Sequence, residues 1–365
     1  MSSRGRWDRC VSLRGMDVVE FAARFLGVDD RQVVLLGGAG FDPRSTQIAA
    51  TLARHIAKLS ALFIREERPG LRHGELRDRA DGNADRVRDL ISDCGFASFS
   101  VFANDGAVIG GREVAKLIAS RSWKGISDVV VDVSALSKGV AFPLVRCLLD
   151  TLDQHRLPAN VHLMVFEDAR LDQSIGEIGC DRASMMSGFE GTWGLDSSRD
   201  AAKLWLPQLI KGQHSILDRL HRFLAPNDVS PIDVCPILPF PAENPRLPDE
   251  LIEEYRNELM SNWSVEPRDI VYAHQRDPLD LYRTILRIDD ARQRVFREVG
   301  GSMTLLSPLG SKVLAIGALM AALDRDFPVA YVESIDYDVK PETIEVVEPP
   351  GEIVHVWLRG GTNAK

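Results

Sequence analysis

The sequence predicts an α/β protein built from two Rossmann-like lobes with mainly parallel sheets and traces of internal duplication. Three observations lead there. Short apolar runs such as Val33-Val-Leu-Leu36 and Val129-Val-Val-Asp-Val133 alternate with segments of helical period, the pattern of strands covered by helices on both faces. Turns rich in Gly, Ser, Asp and Pro follow several of these runs. The 365 residues exceed the roughly 250–300 at which a single core usually stops growing.

In order along the first half, Val33–Leu36 is a strand that ends in Gly37-Gly-Ala-Gly40. Ser45 or Thr46 caps the helix after it, whose Ile48, Leu52 and Ile56 recur at helical spacing. Leu62–Ile64, Phe99–Phe102, Val129–Val133 and Val161–Phe166 are the next strands, with helices at 112–121 and 139–154. The mixed-sign run 66–89 (Arg65-Glu-Glu-Arg68, Arg77-Asp-Arg79) reads as a solvated loop that passes into a charged helix near Ala84–Ile91.

Residues 170–200 interleave Gly176, Gly179, Gly188, Gly191 and Gly194 with Met185, Met186, Phe189 and Trp193 without any period, as a crossover or lid would. A helix over Ala201–Phe223, bent at Pro207, is expected next. The second lobe follows with strands at Val234–Leu238, Ile270–Ala273, Ser302–Leu306 and Val329–Val332. Its helices are at Pro248–Met260, Leu279–Phe296 and Ser311–Leu323. Ile353–Trp357 is an edge or capping strand, and the last residues are expected to fray. The expected division is 1–170 for the first lobe, 171–228 for linker and helix, and 229–365 for the second lobe.

Composition narrows the function classes. Hydrophobic residues make up 45% and charged residues 27%, the balance of a packed globular protein. A net charge of −9 argues against duplex DNA as partner, yet a local basic pocket could still hold a small anionic ligand. Cys10, Cys94, Cys147, Cys180 and Cys235 form no CxxC pair and stand at no metal-ligand spacing from a histidine. No metal or cofactor is therefore expected, and the thiols read as free in a reducing cytosol. The charged N-terminus (Arg4, Arg6, Asp8, Arg9) has no apolar stretch behind it, and no run approaches the ~18 apolar residues of a membrane helix. A cytoplasmic protein without membrane contact is expected.

Ligands of parallel α/β sheets collect outside the carboxyl ends of the strands, where turns expose backbone N–H groups and helix N-termini. Four turns qualify: Gly38 and Gly40 with Asp42 and Arg44; Ser134, Ser137 and Lys138; Glu243 to Arg246; and Ser307, Gly310, Ser311 and Lys312. A hydroxyl and a Lys at the first helical turn supply a donor and a point charge to a phosphate. Two pairs of turns look like copies: Gly40-Phe-Asp-Pro-Arg44 with Ala242-Glu-Asn-Pro-Arg246, and Asp132–Lys138 with Leu306–Lys312. The second pair fits imperfectly, because it follows the fourth expected strand of one lobe and the third of the other. No dinucleotide fingerprint is present, since Pro43 and Arg44 stand where its third glycine would, and there is no P-loop, GxSxG elbow or HExxH. Asp132, Glu167 and His274, each at a strand end, are the weak catalytic candidates.

The segment Thr304-Leu-Leu-Ser-Pro-Leu-Gly-Ser-Lys-Val-Leu-Ala-Ile-Gly-Ala-Leu319 resembles the ligand turn of CARF-type Rossmann domains, and the tandem lobes resemble the related SAVED domains. The resemblance implies a sensor of cyclic or linear oligonucleotide signals in prokaryotic anti-phage defence. It would set Ser307, Gly310, Ser311 and Lys312 at the ligand, with Ser134, Ser137 and Lys138 as counterparts. This sequence departs from the families at Ser307-Pro-Leu-Gly310, where they more often carry Thr-Gly-Gly-Thr. No nuclease or other effector is recognised in the sequence, so the signal would pass to an effector protein partner. Three readings stand: a nucleotide- or phosphate-ligand sensor, an enzyme on a nucleotide or sugar-phosphate, and a scaffold subunit.

Overall fold

Alternating strands and helices assemble into two units in the computed structural model, which describes residues 5–69, 74–194, 201–226, 232–339, 341–344 and 351–360. One unit comprises Arg9–Ile178 and Ser334–Lys365, the other Met1–Asp8 and Gly179–Glu333. Both are α/β with mainly parallel sheets, as expected, but the divisions differ from those expected. Residues 334–365 belong with the first half of the chain, and 179–228 belong to the second unit instead of forming a linker.

The first unit contains β1 (Ser12–Arg14), α1 (Met16–Phe21), β2 (Val33–Gly38), α2 (Gln47–Ala53), β3 (Leu59–Glu67), α3 (Glu75–Leu90) and β4 (Asp93–Ser100). It continues with α4 (Gly110–Ser120), β5 (Asp128–Asp132), α5 (Lys138–Gln154), β6 (Asn160–Glu167) and α6 (Ala169–Ser174), and regains β14 (Glu352–Arg359) from the end of the chain. Its sheet runs β1-β14-β6-β5-β2-β3-β4. β2 to β6 are mutually parallel, and every residue of β2 and β5 is buried, as central strands covered on both faces require. β14 lies antiparallel on β6 and is not the edge, because β1 pairs outside it. Leu35, Ile48, Phe63, Val130 and Met164 form the centre of the core. β2 sits between β3 and β5, so the connections leave it in opposite directions and open a switch point at the strand ends.

The chain passes to the second unit within β7 (Ile175–Met185) and returns within β13 (Ala330–Val339), and these two strands pair. Between them lie β8 (Ala202–Pro207), α7 (His214–Leu224), β9 (Ile232–Val234), β10 (Ile237–Pro239) and α8 (Leu247–Glu254). β11 (Val271–Ala273), α9 (Pro278–Phe296), β12 (Ser302–Ser307) and α10 (Lys312–Arg325) follow. The helix expected over 201–223 is thus β8, a turn and a shorter helix. Ala202–Pro207 reads as helical by local preference, but it pairs along its whole length with Ser302–Ser307 and also with β9, and Leu204, Trp205 and Leu206 are all buried. Two-sided burial in a central strand overrides the local preference.

Isolated parallel bridges, Leu306 with Val329 and Gln208 with Ile237, join the pieces into the order β7-β13-β12-β8-(β9, β10)-β11. Counted from its first parallel strand, this is the strand order of the first unit. β8 corresponds to β2, and β12 to β5. With β8 in place, the turns Ser134–Lys138 and Ser307–Lys312 both follow a fourth strand, which removes the mismatch seen in the sequence. The other pairing dissolves: Gly40–Arg44 follows a first strand and Ala242–Arg246 a second.

Among the described residues no helix is long and apolar enough to cross a membrane, and no group of three or more His, Cys, Asp or Glu could hold a metal ion.

Candidate functional site

The switch point of the first unit is framed by the turns after β2 and β5, which meet backbone to backbone. A Cβ on Gly38 would stand 2.7 Å from the Ala135 carbonyl oxygen, so only glycine lets the two turns approach this closely. The β2 turn is then fixed from three sides. Asp42 accepts the Arg44 N–H at 2.9 Å and caps the short 3-10 turn Pro43–Thr46, the role expected of Ser45 or Thr46. The Arg44 guanidinium is buried between Asp42 at 2.7 Å and Asp172 at 2.5 Å, and Asn83 of α3 donates to the carbonyls of Gly40 and Asp42. Burial opposes the Arg44 charge, but the two carboxylates outweigh it and hold the guanidinium firmly protonated.

In the β5 turn, Asp132 accepts both the N–H and the hydroxyl of Ser134, and the Ser134 Oγ accepts the N–H of Phe166 on β6. Ser137 is the N-cap of α5, and Lys138 is its first residue. The Ser137 N–H donates to Glu66 Oε1 at 2.8 Å, while its hydroxyl is buried and, among the described residues, has no hydrogen-bond partner. The hydroxyl of Ser45, in the β2 turn, is in the same condition. The Lys138 side chain is only 7% exposed, with its Nζ 3.7 Å from Glu177.

A cleft opens beside these turns at the ends of β2 and β3. Gly40, Ala135, Glu66, Arg68, Arg77 and Tyr337 are among the residues that line it. Its interior volume of about 60 Å³ is below the ~150 Å³ that holds a benzene ring, so its enclosed part has room for a small group only and not for a whole nucleotide. Arg68 is buried, 2.6 Å from Glu66, and donates to the Ser334 carbonyl; Arg77 pairs with Glu67 at 2.8 Å. Reading 66–89 as a solvated face missed these residues. The available signal was that Leu62–Ile64 continues as a strand to Glu67, which carries Glu66 and Arg68 to the carboxyl end of the strand beside the switch strand.

In the second unit the equivalent turn is ordered by similar bonds. The Ser307 Oγ accepts from Trp205 Nε1 at 2.9 Å and donates to the Ala330 carbonyl on β13. The Gly310 N–H donates to Gln208 Oε1, and a Cβ there would stand 2.7 Å from that oxygen. Ser311 caps α10 by accepting from the Leu314 N–H at 3.3 Å, and Lys312 opens the helix, half-buried. Arg246 is exposed on a different turn, at the start of α8. The catalytic candidates are occupied locally. Asp132 holds its own turn, and Glu167 pairs with Arg14 at 2.6 Å. His274 donates its N–H to Asp280 and accepts from the Arg276 N–H through Nδ1.

No family model and no curated protein matches this chain. Among solved structures, it is distantly similar to a candidate universal stress protein from Pseudomonas aeruginosa UCBPP-PA14, with 9% identity, a TM-score of 0.25, and coverage of 86% of this chain and 95% of that one. It is likewise similar to an uncharacterised protein from Mycobacterium paratuberculosis, with 11% identity, a TM-score of 0.24, and coverage of 84% and 78%.

Proposed function

We propose that the protein is a sensor of a phosphate-bearing ligand, a nucleotide or oligonucleotide, bound at the turn Ser134–Lys138 of the first unit and at the equivalent turn Ser307–Lys312 of the second, and read by an effector protein partner. The observation that carries the reading is the shared position of the two turns. Each follows the fourth strand, beside the first, and each ends in Ser-Lys at the start of a long helix. That is where open α/β sheets collect ligands and where N–H groups and the helix dipole favour an anion. The Ser137 hydroxyl, buried and without a hydrogen-bond partner among the described residues, adds a polar group suited to a ligand oxygen. A sensor is preferred to an enzyme because Asp132 and Glu167 are engaged in structural contacts. The sequence resemblance to CARF and SAVED domains motivates the oligonucleotide class and the defence setting.

Calorimetry with a panel of adenine and guanine mono-, di-, tri- and cyclic nucleotides tests the reading. At least one should bind. Lys138→Met, which keeps the aliphatic stem, and Lys312→Ala should each weaken it by roughly ten- to a hundredfold, the loss of one charge-assisted hydrogen bond. No binding by any member, or undiminished binding by both folded variants, removes the proposal.

A further inference from the structure

The anion position at the start of α5 already contains a carboxylate of the protein's own. Glu66, near the end of β3, accepts the Ser137 N–H through Oε1 at 2.8 Å and pairs with Arg68 through Oε2 at 2.6 Å. Its side chain is only 10% exposed and lines the cleft. The two N-caps of the equivalent helices differ here. Ser311 makes the usual bond to an N–H of its own first turn, whereas the Ser137 hydroxyl does not and, though buried, finds no other partner among the described residues. A buried hydroxyl without a hydrogen bond is unfavourable, so its presence beside a carboxylate-filled helix terminus points to an oxygen that arrives from outside.

We infer that Glu66 is a tethered stand-in for the ligand's anionic group. The inference rests on the sensor reading above. A phosphate enters by exchange: its oxygens accept the N–H and the hydroxyl of Ser137, the Glu66 carboxylate withdraws, and Arg68 passes from Glu66 to the incoming anion. No covalent bond changes. Two consequences follow. Affinity is set by the difference between the two anions rather than by the site alone, so Glu66 makes the site discriminate strongly charged ligands from weak ones. The exchange also moves Arg68, which holds the Ser334 carbonyl and lies 5.7 Å from the Tyr337 ring, so occupancy is felt where the chain re-enters this unit.

The test is calorimetry with inorganic pyrophosphate on the full chain at neutral pH. Glu66→Gln keeps the size of the side chain and an acceptor oxygen but removes the competing charge. It should tighten pyrophosphate binding by roughly tenfold or more, as expected when a unit charge a few ångströms away is removed from a partly buried site. Adding Ser137→Ala to that variant should weaken binding by roughly tenfold, the value of a hydrogen bond to a charged group. A folded Glu66→Gln variant that binds pyrophosphate no more tightly than the wild type overturns the exchange and leaves the sensor reading standing. Absence of pyrophosphate binding in both overturns the exchange, while the nucleotide panel decides the sensor reading separately. The wild type gives a second measurement that needs no variant: the Ser137 amide resonance should shift during titration, and an unmoved resonance at saturation overturns the exchange.

Discussion

The histidines under the sheet of the first unit should make that unit acid-labile well above the carboxylate range. His162 on β6 and His355 on β14 are buried side by side, Nδ1 to Nε2 at 3.0 Å, and His162 Nε2 lies 3.1 Å from Asp128. Burial pushes the Asp128 carboxyl up, but hydrogen bonds from His162, Ser127, Arg31 and Asn160 outweigh it and hold the group well below the usual carboxylate range. His162 therefore donates from Nε2 and accepts at Nδ1 from the Nε2–H of His355, which leaves His355 Nδ1 as an acceptor with no partner among the described residues. Phe21 stacks on the His355 ring at 4.6 Å. Burial pushes both imidazoles down, His355 well below its ordinary 6.5, with Asp128 opposing the shift at His162.

A histidine that stays neutral when folded but protonates when unfolded contributes stability that is complete above pH 6.5 and is lost as the pH falls below it. The loss approaches about 1.4 kcal/mol per pH unit per group. Asp128 titrates only below this window. His355→Leu removes one titrating group and leaves His162 Nδ1 unpaired, which costs about 1–3 kcal/mol at pH 8. Urea unfolding followed by circular dichroism from pH 8 to 5 should show the variant less stable at high pH, with the two stabilities converging by about 1.4 kcal/mol per unit below pH 6.5. Parallel curves over that range would refute the argument, because they would mean that His355 titrates alike in both states.

Three further outcomes are expected. Gly38→Ala places a methyl 2.7 Å from the Ala135 carbonyl oxygen and should cost about 1–3 kcal/mol in urea unfolding; an unchanged midpoint would show that the turns can part freely. Arg44→Met leaves Asp42 and Asp172 partly buried without their shared cation and should cost about 3–5 kcal/mol, seen as a large drop in Tm, with Arg44→Lys restoring only a part. Ser307→Ala strips partners from Trp205 Nε1 and the Ala330 carbonyl and should destabilise the protein by about 1–3 kcal/mol, seen as a lower urea midpoint; an unchanged midpoint would show that the joint does not depend on this hydroxyl.

What could be read from the sequence follows the physics of each segment. β2, β5, β6 and β12 are strands whose apolar runs have no competing period, and they stand where expected. β4 is different. Asp93-Cys-Gly-Phe-Ala-Ser-Phe-Ser100 is an edge strand, mostly exposed or half-buried, with no β-branched run, and only its last residues were recognised. β8 was missed because Ala, Lys and Leu favour helices and only pairing with β9 and β12 makes the segment extended. The segment 170–200 hid α6 and β7, since the pairing of β7 with β13 cannot be inferred from local pattern. Residues 361–365, expected to fray, lie outside the described residues. At the site, Ser137 and Lys138 are legible because caps and helix starts are local, whereas Glu66 reaches Ser137 across 71 positions of sequence.

The corresponding turns also separate what scaffolding requires from what a ligand would use. Ser134 and Ser307 are each fully buried, and each bonds to the backbone of the fifth strand, Phe166 on β6 and Ala330 on β13. One accepts from an N–H and the other donates to a carbonyl, so the same residue type closes the same joint by opposite bond directions. A hydroxyl can do both, and that accounts for Ser at this point of each turn without reference to a ligand. For the second Ser such an account covers only one of the two turns. Ser311 closes its own helix, Ser137 does not, and the carboxylate beside Ser137 comes from a different strand. If the fold alone determined the turn, both N-caps would be satisfied in the same way, because the helices, strand order and preceding joints are alike. The asymmetry therefore concentrates the functional argument on the first unit, where Glu66 meets Ser137 at the start of α5.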